Sequence, residues 1–231
     1  MRSLIKKELK TMIATPVAAV AVALFLFLTG FAFTAQLTQA SPRNLPEASM
    51  RGMIYFMAVV LLFITPFFTM KSFAEERSRG TMELLKTAPL TDFEIVFGKF
   101  LSGWICLGIL LLLTFEYPIF LWIVGKPDFG PMLLSYLGLW LMTGAFLAAG
   151  LFCSVLTSSQ MIASILSFVF LLTLWFLAEI GNPFLEKLSV SRHLESFSVG
   201  VLDLGDLAYY LLFIFALLFL TIRTLEAERW R

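Results

Sequence analysis

The sequence predicts an all-α polytopic membrane protein with six transmembrane helices. Three observations predict it. Of 231 residues, 59% are hydrophobic and only 14% are charged, with a mean hydropathy of +0.90, whereas soluble domains carry about 25% charged residues. Apolar runs recur at the length of about 20 residues that a helix needs to cross the hydrocarbon core. The charged residues concentrate between those runs, and the cationic ones do so unevenly. The pattern adds an N-terminal amphipathic interface helix, a short helix in the charged loop after span two, and short helices between spans five and six. Residues 1–231 read as a single transmembrane domain.

Residues 1–15 are basic, with Arg2, Lys6, Lys7 and Lys10. Ile5, Leu9, Met12 and Ile13 share one helical face, so the segment reads as a helix lying on the membrane surface. The apolar run that follows exceeds the roughly 7–15 residues of a signal-peptide core. Pro16 opens the first span, where its missing N–H is tolerated. The spans are expected at residues 17–37, 52–70, 100–124, 131–156, 161–180 and 207–222. Pro66 predicts a kink in span two, and Glu116 with Pro118 interrupts span three. The polar run Thr157-Ser158-Ser159-Gln160 divides an uncharged stretch too long for one helix.

Six spans place both termini on one side. Arg43, Arg51, Lys126, Lys187 and Arg192 fall on the other side, and all the remaining lysines and arginines fall with the termini. The richer side is cytoplasmic by the positive-inside rule, so the loop at 71–99 faces the cytoplasm.

That loop is the one long charge-dense segment in the chain. It cannot lie in hydrocarbon, because each central charge costs roughly 2.5–3.5 kcal/mol there. Met82, Leu84 and Leu85 have helical spacing, Gly80 stands near the start of the expected helix at residues 78–87, and Pro89 stops it. Thr91 or Asp92 then caps a new helix, with Glu94 in its first turn. From spacing alone, two readings stand: a built transverse helix, or a solvated loop whose charges set topology.

The run Glu75-Glu76-Arg77-Ser78-Arg79-Gly80-Thr81-Met82-Glu83-Leu84-Leu85, with Thr87-Ala88-Pro89-Leu90-Thr91-Asp92 and Gly98-Lys99-Phe100, resembles the cytoplasmic loop of ABC-2-type permeases. These are the membrane subunits of ATP-driven ABC exporters. The nearest likeness is to the gliding-motility and nitrous-oxide-reductase-maturation branch. The resemblance implies a cytoplasmic coupling helix in this loop, docked on a separate ABC ATPase subunit. It implies contacts through Glu75, Glu76, Arg77, Gly80, Thr81, Met82, Glu83, Leu84 and Leu85. It also implies a bacterial inner membrane location and a second copy or a related permease as partner. ATP and Mg would sit on the ATPase, with no cofactor bound by this chain.

Residues 181–206 are too apolar for a plain loop. Phe184, Leu185 and Leu188 follow helical spacing, as do Leu194, Phe197 and Val201, with Ser191 a candidate cap and Gly200 and Gly205 bracketing the end. Two short outer helices or an ordinary interfacial loop both fit. The resemblance implies the former, as a roof over the translocation path.

Glu116 is an acid inside span three, and intramembrane acids are functional candidates. It either lines the path or is a structural acid near the outer interface. Glu179 reads as an interface anchor, and Cys106 and Cys153 as small buried apolar side chains. His193 is the single histidine, which excludes a histidine-cluster metal site and leaves a cap or surface role. Gly144, Ala145, Ala148, Ala149 and Gly150 permit close helix packing in span four.

The sequence has no G-x-x-x-x-G-K-[ST] phosphate loop, so ATP hydrolysis belongs to another chain. A net charge of +1 offers no field for nucleic acid. No internal repeat suggests a secondary transporter. The expected function is therefore the permease subunit of an ABC exporter. The alternative is a non-transporting membrane anchor that recruits an ABC ATPase to a surface machine for motility or pilus assembly.

Overall fold

Local chemistry sets where the helices start and stop. In the computed structural model, residues 2–39, 47–82, 90–125 and 129–229 are described. Helix α1 (Arg2–Ala14) ends at Thr15, whose Oγ accepts from Ala18 N, and Pro16 begins α2 (Pro16–Gln39). Helix α3 (Glu47–Thr69) runs through Pro66 and stops one turn later. A turn leads into the short α4 (Ala74–Ser78). Thr91 caps α5 (Asp92–Leu113) with a full capping box: its Oγ accepts from Glu94 N, and Glu94 Oε2 accepts from Thr91 N.

Span three breaks where proline requires it. Pro118 has no N–H for the carbonyl of Thr114. That carbonyl instead accepts from Tyr136 Oη at 2.9 Å and from Tyr117 N at 3.1 Å. The chain then resumes as α6 (Glu116–Gly125). Glu116 stands at the start of this piece with its side chain exposed.

Helix α7 (Phe129–Val155) is the post around which the rest assembles. Of its most apolar stretch 89% is buried, against 22% for span five. Small residues make this possible. A Cβ on Gly150 would lie 2.3 Å from Thr69 Oγ1, and one on Gly138 would lie 2.6 Å from Phe197 Cβ. At Gly144 the Trp104 indole fills the gap; it stacks on Trp140 with centroids 4.1 Å apart. Cys106 and Cys153 are both buried thiols.

Ser159 caps α8 (Gln160–Phe176), which tightens into a 3₁₀ turn at Leu177–Ile180. Two short helices follow, α9 (Pro183–Glu186) and α10 (Val190–Val199), which is the helical one of the two readings the spacing allows. Their details differ from that reading. Ser189, not Ser191, holds the N-cap position of α10, and both hydroxyls donate to the Trp175 carbonyl. Gly200 ends α10 with φ +85° and abuts Pro131, whereas Gly205 lies inside the last helix, α11 (Leu204–Arg229). His193 Nδ1 meets Asp206 Oδ1 at 2.6 Å, Nε2 meets the Lys187 carbonyl, and the ring stacks on Tyr209. The histidine therefore ties α10 to the start of α11 rather than sitting free on the surface.

Six helical segments among the described residues are long and apolar enough to cross a membrane: Pro16–Leu37, Arg51–Ser78, Asp92–Ile123, Gly130–Val155, Gln160–Ile180 and Leu204–Glu228. No strand occurs among the described residues. The last span is longer at both ends than its apolar run predicts.

Candidate functional site

The corner after span two is built before it can do anything. Phe73 is fully buried, and the last amide of the turn and the first of α4, Phe73 N and Ala74 N, both donate to Ser154 Oγ on α7 at 3.1 and 3.2 Å. A serine from another helix thus satisfies amides that α4 cannot pair internally. The other end of α4 closes on Gly80. Its φ is +68°, Thr81 N donates to the Glu76 carbonyl and Gly80 N donates to the Arg77 carbonyl. This is a Schellman motif with glycine in the left-handed position. Gly80 therefore ends one helix, and helical backbone resumes two residues later at Met82; the rest of the helix expected at residues 78–87 lies outside the described residues.

Two adjacent charges of α4 are committed inward. Glu76 Oε1 accepts from Lys99 Nζ at 2.8 Å, and the same ammonium reaches Glu8 Oε1 at 3.2 Å. Lys99 is 2% exposed, and its ammonium lies 5.4 Å from the centre of the Phe73 ring. A cation so placed needs counter-charge, because desolvation costs several kcal/mol per ion. Glu8 belongs to α1 and Lys99 to α5, so the cluster joins the N-terminal helix, the loop and span three. Packing reinforces it: a Cβ on Gly98 would lie 3.0 Å from Leu4. Arg77 points the other way. Its guanidinium donates to the Val155 carbonyl at 2.8 Å and pairs with Glu228 on α11.

The remaining loop residues divide. Arg79 is largely exposed and pairs with Glu75 one turn back. Gly80 and Thr81 are exposed, while Met82 is buried within this chain. Glu83, Leu84 and Leu85 lie outside the described residues. Glu116 belongs to a different region: it stands at the break in span three, on the chain's exposed surface.

The family model described as ABC-2 family transporter protein matches residues 2–197. The chain belongs to the ABC-2 transporter family. The matched region runs from α1 into α10 and includes the whole charged corner; it stops before the last span. No curated protein matches the chain. As an ABC-2 chain it is a multi-pass membrane component, and membership implies a partner ATPase.

Sequence reasoning missed four parts of this corner: Glu8, Lys99, Ser154 and Glu228. One signal was available. Lys99 stands two turns into a capped helix at the edge of a charge-free run, where a cation needs partners.

Proposed function

We propose that this ABC-2 permease is the membrane subunit of an ATP-driven exporter, with both termini and the charged corner in the cytoplasm of a bacterial inner membrane. It works with a second copy or a related permease. A separate ABC ATPase binds the loop, and ATP and Mg reside on that subunit. The loop motif favours the gliding-motility and nitrous-oxide-reductase-maturation branch.

One observation carries the reading: Glu76 and Arg77 tie α4 to both chain ends and to spans three, four and six. A force on the loop is therefore shared by several spans at once. Packed interfaces of this kind move between discrete arrangements rather than deforming smoothly. Gly80 and Thr81 lie on the open side of α4, with Glu75 and Arg79 beside them. Together with Glu83, Leu84 and Leu85 they form the ATPase contact, while Glu76, Arg77 and Met82 anchor that contact to the spans. Glu116, open to the outside of the single chain, lines a route between two permease copies.

The test is affinity purification of the tagged chain in mild detergent, followed by reconstitution in nanodiscs. We expect an ABC ATPase subunit in stoichiometric amount, and substrate release to the far side that depends on ATP. Recovery without any ATPase overturns the reading; recovery with an ATPase but no transported molecule turns it into a membrane anchor for a surface machine.

A further inference from the structure

We propose that the crevice between α1 and the loop end of span two binds a phospholipid whose headgroup carries a primary ammonium. The crevice encloses about 820 Å³, within the usual range for small-molecule sites. Its described walls combine two chemistries. Leu4, Met12, Val17, Phe67 and Phe68 give it an apolar side at the ends of spans one and two. Its polar side includes Lys7, Glu8, Lys71, Ser72, Glu75, Glu76 and Arg79.

Two buried polar atoms in that wall have no hydrogen-bond partner. Ser72 is 5% exposed, and its Oγ is unpaired. Glu76 spends Oε1 on Lys99, while Oε2 is buried and also unpaired. Buried polar atoms are rarely left so, because the full desolvation cost is then uncompensated. As a carboxylate, Glu76 Oε2 is an acceptor only and calls for a donor. Lys7 and Lys71 form no salt bridge among the described residues and stand at the same opening. A phosphate between the two lysines and an N–H donor on the carboxylate satisfy both needs. An acyl chain against the phenylalanines occupies the rest. Phosphatidylethanolamine has this combination: a phosphodiester, three N–H donors and two chains. A choline headgroup has no N–H to give. Binding itself does not depend on the proposed coupling to an ATPase; that the lipid belongs to the cytoplasmic leaflet follows from the orientation proposed above.

Native mass spectrometry of the full chain, released from nanodiscs of equal parts phosphatidylethanolamine, phosphatidylcholine and phosphatidylglycerol, tests the proposal without any ATPase present. The ethanolamine lipid should be retained roughly tenfold over the choline lipid, the order of one charge-assisted hydrogen bond. Lys7→Ala/Lys71→Ala should lose retention of every lipid. Ser72→Ala should reduce the ethanolamine preference while leaving the melting temperature unchanged or higher, since it removes an unpaired hydroxyl. Free phosphoethanolamine should fail to displace the lipid at equal concentration. Equal retention of the ethanolamine and choline lipids, a preference for the glycerol lipid, wild-type retention in the double lysine variant, or displacement by free phosphoethanolamine each overturns it.

Discussion

Lys99 donates to Glu76 across 2.8 Å from a site where only 2% of its side chain reaches solvent. The residues are 23 positions apart and belong to different helices, and Glu8 adds a second carboxylate from a third. The ammonium is therefore shared by two acids.

Removing that cation should be far worse than removing the more distant acid, Glu8. Lys99→Met leaves Glu8 and Glu76 close together without the buried cation they share, and breaking a buried pair in this way costs about 3–5 kcal/mol. Glu8→Gln keeps the stronger contact and should cost much less. Thermal unfolding of the purified permease, followed by fluorescence-detected size exclusion, should show a large drop for the first variant and a small one for the second. Equal drops would show that the cluster does not depend on its cation.

Gly80 makes a separable prediction. A Cβ there meets nothing within 4 Å, so any harm from a side chain comes from the backbone at φ +68°. A left-handed conformation costs an ordinary residue about 1–2 kcal/mol, and asparagine is among the few that visit it routinely. Gly80→Val should reduce the ATPase recovered per permease, while Gly80→Asn should retain most of it. If the two variants behave alike in the pull-down, conformation is not what the loop requires at this position.

Tyr136 holds the break in span three. Tyr136→Phe removes the hydroxyl that donates to the Thr114 carbonyl and contacts Thr114 Oγ. Tyr117 N still reaches that carbonyl, so the loss should be modest, roughly 0.6–1.7 kcal/mol for a hydrogen bond between membrane helices. A lowered melting temperature with unchanged oligomeric state is the expected outcome; no change in melting would remove the hydroxyl from the account of the kink.

Glu116 should separate stability from function. Its side chain is exposed on the single chain, so Glu116→Gln should leave the melting temperature alone. Under the proposed export reading it should alter transport-linked ATPase stimulation. Loss of folded protein would instead make it a structural acid.

Topology can be checked with single cysteines in a background lacking Cys106 and Cys153. Thr81 and Arg192 are both exposed, whereas Ser191 is buried and unsuitable. The two positions should label from opposite sides of the membrane, with Thr81 reached from the cytoplasm. Labelling of both from one side would end the six-span topology.

Much of this was legible from local pattern. Thr91 or Asp92 was legible as the cap of the helix after Pro89, and the structure chooses Thr91; the Thr157–Gln160 interruption marks the turn between spans four and five. Helical periodicity describes one helix at a time, however. It gives no sign that Glu8 and Glu76 meet at Lys99, or that Ser154 caps a helix about 80 residues earlier in the chain. It also missed that Gly80 ends α4, because a glycine beside an amphipathic run reads equally as the beginning of one helix and the end of another. Ser191 misled for a related reason. Two serines straddle the start of α10, and only tertiary contact with Trp175 shows how both hydroxyls are used.

The two tight glycine contacts of α7 have a mechanical consequence. Gly150 is closed by Thr69 near one membrane face, and Gly138 by Phe197 towards the other. Sliding of α7 past its neighbours is blocked at two depths. Spans one and five, with about a quarter of their apolar length buried, carry no glycine contact this tight among the described residues. The chain thus consists of a stiff frame with a compliant rim, and the rim is the part directly exposed to bilayer thickness and lateral pressure. Hydrophobic mismatch is expected to tilt those outer spans while the frame keeps its shape.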